Sequence, residues 1–174
     1  MTSPAIHIRP LDRTEWAVFK NIRLLALQTE PGVFSASYES WETKSPDEWQ
    51  NLLAGTGHQA FGLFEGIRLI GITGVVTSRE DGRTAILVMS FILPEYREQG
   101  LSRFLYDVRL QWIRSRPEFT KVIVSHRESN EASRKANQRH GFQIVKREAR
   151  KWPDGITEDE IFYELCLVPN LHSD

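Results

Sequence analysis

One cysteine stands in the whole chain, Cys166, which excludes an intrachain disulfide and a cysteine-rich zinc site. Excess charge is missing too. The 22 Lys and Arg against 23 Asp and Glu leave a formal net charge of -1, so no global field recommends a nucleic acid or an anionic membrane as partner. No segment approaches the ~18 continuous apolar residues of a membrane-crossing helix, and the opening "MTSPAIHIRP" contains no apolar signal region. The phosphate loops G-x-x-x-x-G-K-[ST] and strand-borne G-x-G-x-x-G are absent, as are internal repeats, low-complexity tracts and an interdomain linker. What is present is the material of a core: 174 residues, 40% of them hydrophobic, with five Trp and nine Phe. The expectation is a single cytoplasmic domain over residues 1–174, an enzyme or a binding module, with no nucleic acid and no membrane as partner.

Periodicity orders the elements. "AIHIRPL" alternates as a short strand, and Trp16, Phe19, Ile22 and Leu25/Ala26 recur at helical spacing between Arg13 and Gln28. Pro31 and Gly32 break that helix. A second one begins after Ser45, an N-cap followed by Pro46 at the first helical position and Glu48 three residues on, and ends near Gly55. The period then changes to two: "QAFGLFE" and "RLIGITGVVTS" flank Gly66 as a hairpin, and the Asp-Gly turn of "REDGR" leads into the central strand "TAILVMSFIL". Leu101, Phe104, Leu105, Val108 and Trp112 mark a helix stopped by Pro117. "KVIVSH" is a strand, Asn130 to His140 a short helix ended by Gly141, and "FQIVKREAR" with "EIFYELCLV" a closing hairpin around "WPDG". Cys166, in the apolar alternation "IFYELCL", is expected to be a buried, inert thiol. The string β-α-α-β-β-β-α-β-α-β-β, with antiparallel hairpins around one β-α-β crossover, predicts an α+β fold with a mixed sheet.

The stretch "PEYREQGLSRF" joins the central strand to the following helix. Amides from about Gln99 to Arg103 would have no intrahelical partner there, and the helix dipole adds positive potential. A phosphate is a fitting ligand, Gly100 removes a Cβ where it would approach, and Arg97 and Arg103 can add charge. Taken alone, the loop reads first as a hydrated strand-to-helix connector.

"PEYREQGLS" resembles the coenzyme A pyrophosphate loop of the GNAT superfamily of N-acetyltransferases, Arg/Gln-x-x-Gly-x-Gly/Ala, with Arg97, Gly100 and Ser102 in those places. Ser102 stands where Gly or Ala is usual and Glu98 where glycine is common. Downstream, "SNEASRKANQRHGF" is similar to the superfamily's Asn-x-x-Ala-x-x-x-Tyr-x-x-x-Gly-Phe segment, matched by Asn130, Ser133, Asn137, Gly141 and Phe142. The resemblance covers nearly the whole chain, and "PGVFSASYES…EW" with the closing "WPDG" region also looks like one bacterial branch of the superfamily. It implies a GNAT-like fold, a central, mostly antiparallel sheet of six to seven strands flanked by about four helices. It implies an acyltransferase using acetyl-CoA as co-substrate, without a metal, and moving acetyl directly to a small-molecule or peptide amine. Coenzyme A would lie against Ile92, Leu93, Arg97, Glu98, Gln99, Gly100, Leu101, Ser102, Arg103, Asn130, Ser133 and Asn137.

The resemblance further implies that the central strand splays from "KVIVSH", freeing the Ile92 amide to polarise the thioester carbonyl. The superfamily's usual acid, a tyrosine, is replaced by Asn137, and the strand lacks the glutamate that often serves as base. His126 is the alternative base, with a packed strand-end histidine as the plainer reading; Glu128 and Tyr163 are weaker candidates. His7, His58, His140 and His172 show no ligand spacing. Phe34, Tyr38, Trp41 and Trp152 are candidates to line the acceptor site, and Glu39, Glu42, Asp154 and Asp159 to attract a cationic amine or simply to face solvent. The basic run "KREARK" reads as a strand edge that discourages pairing. A homodimer through the sheet edge is a further expectation. The competing function is a catalytically silent module that binds coenzyme A as a sensor or partner domain.

Overall fold

The computed structural model describes residues 4–167; His172 lies outside them. Strand β1 (Ile6–Pro10) leads through a 3-10 turn at Arg13–Glu15 into α1 (Trp16–Thr29). Next come α2 (Tyr38–Glu42), α3 (Pro46–Leu53), β2 (Ala54–Gly55), β3 (His58–Glu65), β4 (Arg68–Thr77) and β5 (Thr84–Ile92). A 3-10 turn at Pro94–Tyr96 precedes α4 (Ser102–Arg114), then β6 (Lys121–Arg127), α5 (Glu131–Arg139), β7 (Gln143–Lys151) and β8 (Thr157–Cys166).

The strands form one sheet in the order β1-β3-β4-β5-β6-β8-β7, with the two-residue β2 paired to β3. Only β5 and β6, joined through α4, run parallel; every other neighbour is antiparallel. The α+β class and mostly antiparallel mixed sheet are as expected, with the short β2 and α2 as additions. Helix α2 forms because Ser37 caps it, its hydroxyl accepting from the Ser40 amide, soon after Pro31 and Gly32 end the previous segment.

Local chemistry explains the element ends. Ser45 and Glu48 form the anticipated capping box: the Glu48 carboxylate accepts from the Ser45 amide at 2.8 Å and the Ser45 hydroxyl from the Glu48 amide at 3.3 Å. Helix α5 closes on Gly141 at φ +83°, with Phe142 N–H donating to the Asn137 carbonyl and Gly141 N–H to that of Gln138.

Two cores sandwich the sheet. Phe19, Ile22 and Ala26 of α1 and Trp49 and Leu53 of α3 pack on Ile70 and Ile72 of β4. On the other side Tyr106, Leu110 and Ile113 of α4 and Ala136 of α5 pack on Val122, Val124, Ile161 and Tyr163. Each fully buried aliphatic or aromatic side chain contributes roughly 1.5–3 kcal/mol relative to exposure.

Cys166 corrects an expectation: it is exposed. The inward phase of β8 belongs to Ile161 and Tyr163, while Cys166 shares the phase of Glu164, whose Oε1 lies 3.5 Å from its Sγ. The basic run on β7 does occupy an edge of the sheet and is exposed along almost its whole length. No helix among the described residues is long and apolar enough to cross a membrane.

Candidate functional site

The parallel pair β5–β6 holds together only at Thr84–Lys121, Ala85–Val122 and Ile86–Ile123. Beyond Ile86 the strands diverge. The Leu93 amide donates to the Ile70 carbonyl on β4, and backbone polar groups of successive strand residues point to opposite edges. The polar groups of Ile92 therefore face the gap left by β6, where its carbonyl accepts the Arg97 Nε–H at 2.8 Å. The bulge that loosens β5 was not legible in the sequence. Register slips between Ile72 and Gly74, so Thr73 opposes two residues, and Met89 is held at φ +61°. Thr73 and Ser90 share a hydroxyl hydrogen bond at 3.0 Å across the irregularity.

The loop after β5 is built from alternating backbone hands. Glu98 at φ +61° and Gly100 at φ +72° turn the chain so that successive amides face the same hollow, a concavity suited to an anion. The amides from Glu98 to Arg103 meet no acceptor among the described residues. A Cβ added at Gly100 would meet nothing within 4 Å, so that face is open. The demand for positive φ also accounts for the glycine common at the place of Glu98, which here adopts a left-handed conformation that costs about 1 kcal/mol.

These groups border a groove of about 1070 Å³ between the N-terminal ends of α4 and α5. Ile92, Arg97, Glu98, Gly100, Leu101, Ser102, Asn130 and Ser133 line it; Leu93, Gln99, Arg103 and Asn137 do not. Arg97 braces the loop, its Nη1 donating to Glu30 Oε1 at 2.6 Å, and Arg103 lies over the Phe104 ring. Asn130 caps α5 by accepting from the Ser133 amide at 3.1 Å. The cations on the groove wall that sequence reasoning missed are Arg127, Lys135 and Arg139, the last two four apart on one face of α5.

Asn137 is fully buried, and its Oδ1 accepts from the Tyr106 hydroxyl at 2.6 Å. Tyr106, on α4, lines the groove and stacks on His140 with centroids 4.1 Å apart. Burial pushes its phenol pKa above the usual value. The role of Tyr106 had no signal in the sequence, because its partner lies 31 residues away.

His126, the candidate base, is 5% exposed and shares its sheet face with Tyr163. Its Nδ1 lies 2.6 Å from the Arg127 carbonyl, which can only accept, so Nδ1 carries the proton. Nε2 is then left to accept from the Tyr163 hydroxyl at 3.0 Å. Burial lowers the imidazole pKa. Both nitrogens are engaged by protein groups, and the residue also borders the pocket on the α1–α3 side.

A second pocket, of about 730 Å³, opens on the α1–α3 side and shares Val33 with the groove. Phe34, Trp41 and Trp152 line it together with Arg23, Met89, Ser125 and Glu160; Tyr38 stays outside. On the groove side of that junction Arg127 ties the loops together, donating to the Gly32 carbonyl at 3.0 Å, to Asp154 at 2.5 Å and to Glu158 at 2.5 Å. Asp154 is thus an internal ion-pair partner, and Arg127 holds its carboxyl below the usual carboxylate range. Among the described residues, no cluster of three or more His, Cys, Asp or Glu could hold a metal.

The family model described as Acetyltransferase (GNAT) family matches residues 21–142, more than half of the chain. No curated protein matches the chain in sequence. Solved structures do match. A GNAT-family acetyltransferase from Streptococcus pneumoniae is 15% identical with a TM-score of 0.80, over 94% of this chain and 100% of the other. The yncA protein of Salmonella typhimurium, solved with its cofactor acetyl-CoA, is 19% identical with a TM-score of 0.79, over 98% of each chain. RimL, a ribosomal L7/L12 α-N-protein acetyltransferase in complex with coenzyme A, is 13% identical with a TM-score of 0.75, over 95% of each chain. At these identities the likeness is one of fold.

Proposed function

The chain belongs to the acetyltransferase (GNAT) family, and on that premise we propose that it moves acetyl from acetyl-CoA to a primary amine of a small molecule or peptide by direct transfer. The observation that carries the proposal is the divergence of β5 from β6 beside a loop of unpartnered amides. A pyrophosphate fits that loop because it needs several donors and close backbone approach, and Gly100 leaves the space. Lys135 and Arg139 supply the cationic wall for further phosphate. The same coenzyme is bound in the Salmonella protein and in RimL.

Acetyl-CoA supplies the acetyl group as a reactive thioester; the protein binds, orients and polarises. The open edge of Ile92 offers an amide donor to a carbonyl oxygen that gains negative charge. The Tyr106 phenol, kept protonated by burial and positioned by Asn137, is the proton donor to the departing thiolate once its O–H turns from Asn137 Oδ1 toward the groove. His126 acts as a positioning residue that anchors the Arg127 backbone, and the Arg127 side chain in turn ties the pocket loops together. Amine and thioester meet where groove and pocket join at Val33, and alignment there supplies much of the rate.

One observation favours a second reading, a silent module that binds coenzyme A: Asn137 occupies the tyrosine position, and β5 carries no carboxylate. Thiol release from acetyl-CoA across a panel of amines separates the two. Amine-dependent release supports transfer; stabilisation by coenzyme A with no release on any amine supports the silent module; no stabilisation contradicts both.

A further inference from the structure

Arg23 sits on the buried face of α1, 3% exposed, in a position where a helix normally presents an apolar side chain to the core. Its guanidinium is clamped between the rings of Phe34 and Trp41, 4.6 and 4.5 Å from their centroids. Yet its Nε and Nη1 have no hydrogen-bond partner among the described residues. Burial alone pulls its pKa down to about 10, with no neighbouring carboxylate to hold it up. An unpaired buried cation is costly, and two aromatic faces compensate for part of that while fixing the plane of the group. The fold keeps a rigid set of donors, desolvated and unused, in the wall of the second pocket.

The rest of the lining says what would complete it. Glu160, the carboxylate in the same wall, is already ion-paired with Arg150 at 2.5 Å and accepts from the Ser125 hydroxyl at 2.6 Å. Val33, Phe34, Met89 and Trp152 offer an apolar surround, and a volume of about 730 Å³ suits a small molecule. Resting on the transferase reading above, we propose that the acceptor is an amino acid-like amine bearing a carboxylate, which Arg23 binds between Phe34 and Trp41. Carboxylate and guanidinium make charge-assisted hydrogen bonds, and the aromatic clamp holds the cation so that little ordering remains to be done on binding.

The test uses matched sets: leucine and phenylalanine, their carboxamides, and the corresponding amines without the carboxyl group, with the wild-type protein and Arg23→Met. Acetyl transfer and thermal stabilisation of the coenzyme A-bound protein are read in parallel. The wild type should prefer the acid over the amide by about 10- to 100-fold in kcat/KM. Arg23→Met, which keeps the apolar stem, should remove that preference while coenzyme A affinity and fold stay unchanged. Equal use of acid and amide by the wild type, or a preference retained in Arg23→Met, overturns the assignment and leaves the transferase reading standing. If no amine is acetylated, the transferase reading fails and the thermal arm decides alone. Stabilisation by the acid that Arg23→Met loses supports the Arg23 site; none, or stabilisation that Arg23→Met keeps, refutes it. Stabilisation only by a short peptide with an acidic side chain and an amidated C-terminus would reject the free amino acid as the source of the carboxylate.

Discussion

The Tyr106 hydroxyl donates to Oδ1 of Asn137 at 2.6 Å, joining α4 to α5 beneath the groove. The residue that departs from the family pattern thus holds a phenol supplied by a different helix. Replacing Tyr106 with Phe should lower kcat by about a hundredfold with little change in KM for either substrate. The alkaline limb of the wild-type profile should fall above the ordinary tyrosine pKa of about 10, since burial raises this phenol, and it should be missing in the variant. An unchanged kcat would remove Tyr106 from the chemistry.

Glu98 combines a left-handed backbone with a negative charge on the rim of the proposed anion site. Glu98→Gly should therefore raise stability by about 0.5–1 kcal/mol and tighten coenzyme A binding, as glycine carries no penalty at that φ. Chemical denaturation and calorimetric titration read the two effects separately. Weaker coenzyme binding would show that the carboxylate contributes to the site.

His126 titrates inside the fold with a lowered pKa, chiefly because it is desolvated. The unfolded chain takes up a proton near pH 6.5 that the folded chain refuses. Its contribution to stability is present above that pH and declines as the pH falls toward the lowered folded value. Thermal melts across this window should show the decline in the wild type and a flatter curve in His126→Gln. An acid limb of the rate profile that moves in His126→Gln would restore His126 as the base.

Local chemistry was the legible part of the sequence. Ser45 and Glu48 announced a helix start, and Gly66 and Gly141 the turns that need positive φ, because each signal acts over a few residues. The loop proposed to hold the coenzyme stood out for the same reason: donors, glycine and helix start lie in one short stretch. The Met89 bulge was hidden, since it arises from register against β4. Arg23 read as one more polar residue on α1, and only the segment from Phe34 to α2, which brings Phe34 and Trp41 around it, marks it out for the proposed role. Cys166 was misjudged because the phase of β8 depends on its partners, and one residue of phase separates inside from outside.

The most direct test of the coenzyme site is calorimetric titration of coenzyme A into the wild type and Gly100→Asp. Gly100 is exposed and its missing Cβ faces open space, so the variant should keep its circular dichroism spectrum apart from a modest cost for an Asp at φ +72°. It should bind coenzyme A at least about a hundredfold more weakly, because a carboxylate then occupies the anion cradle. Equal affinity in the two folded proteins would contradict the placement of the pyrophosphate, and with it the account of this loop.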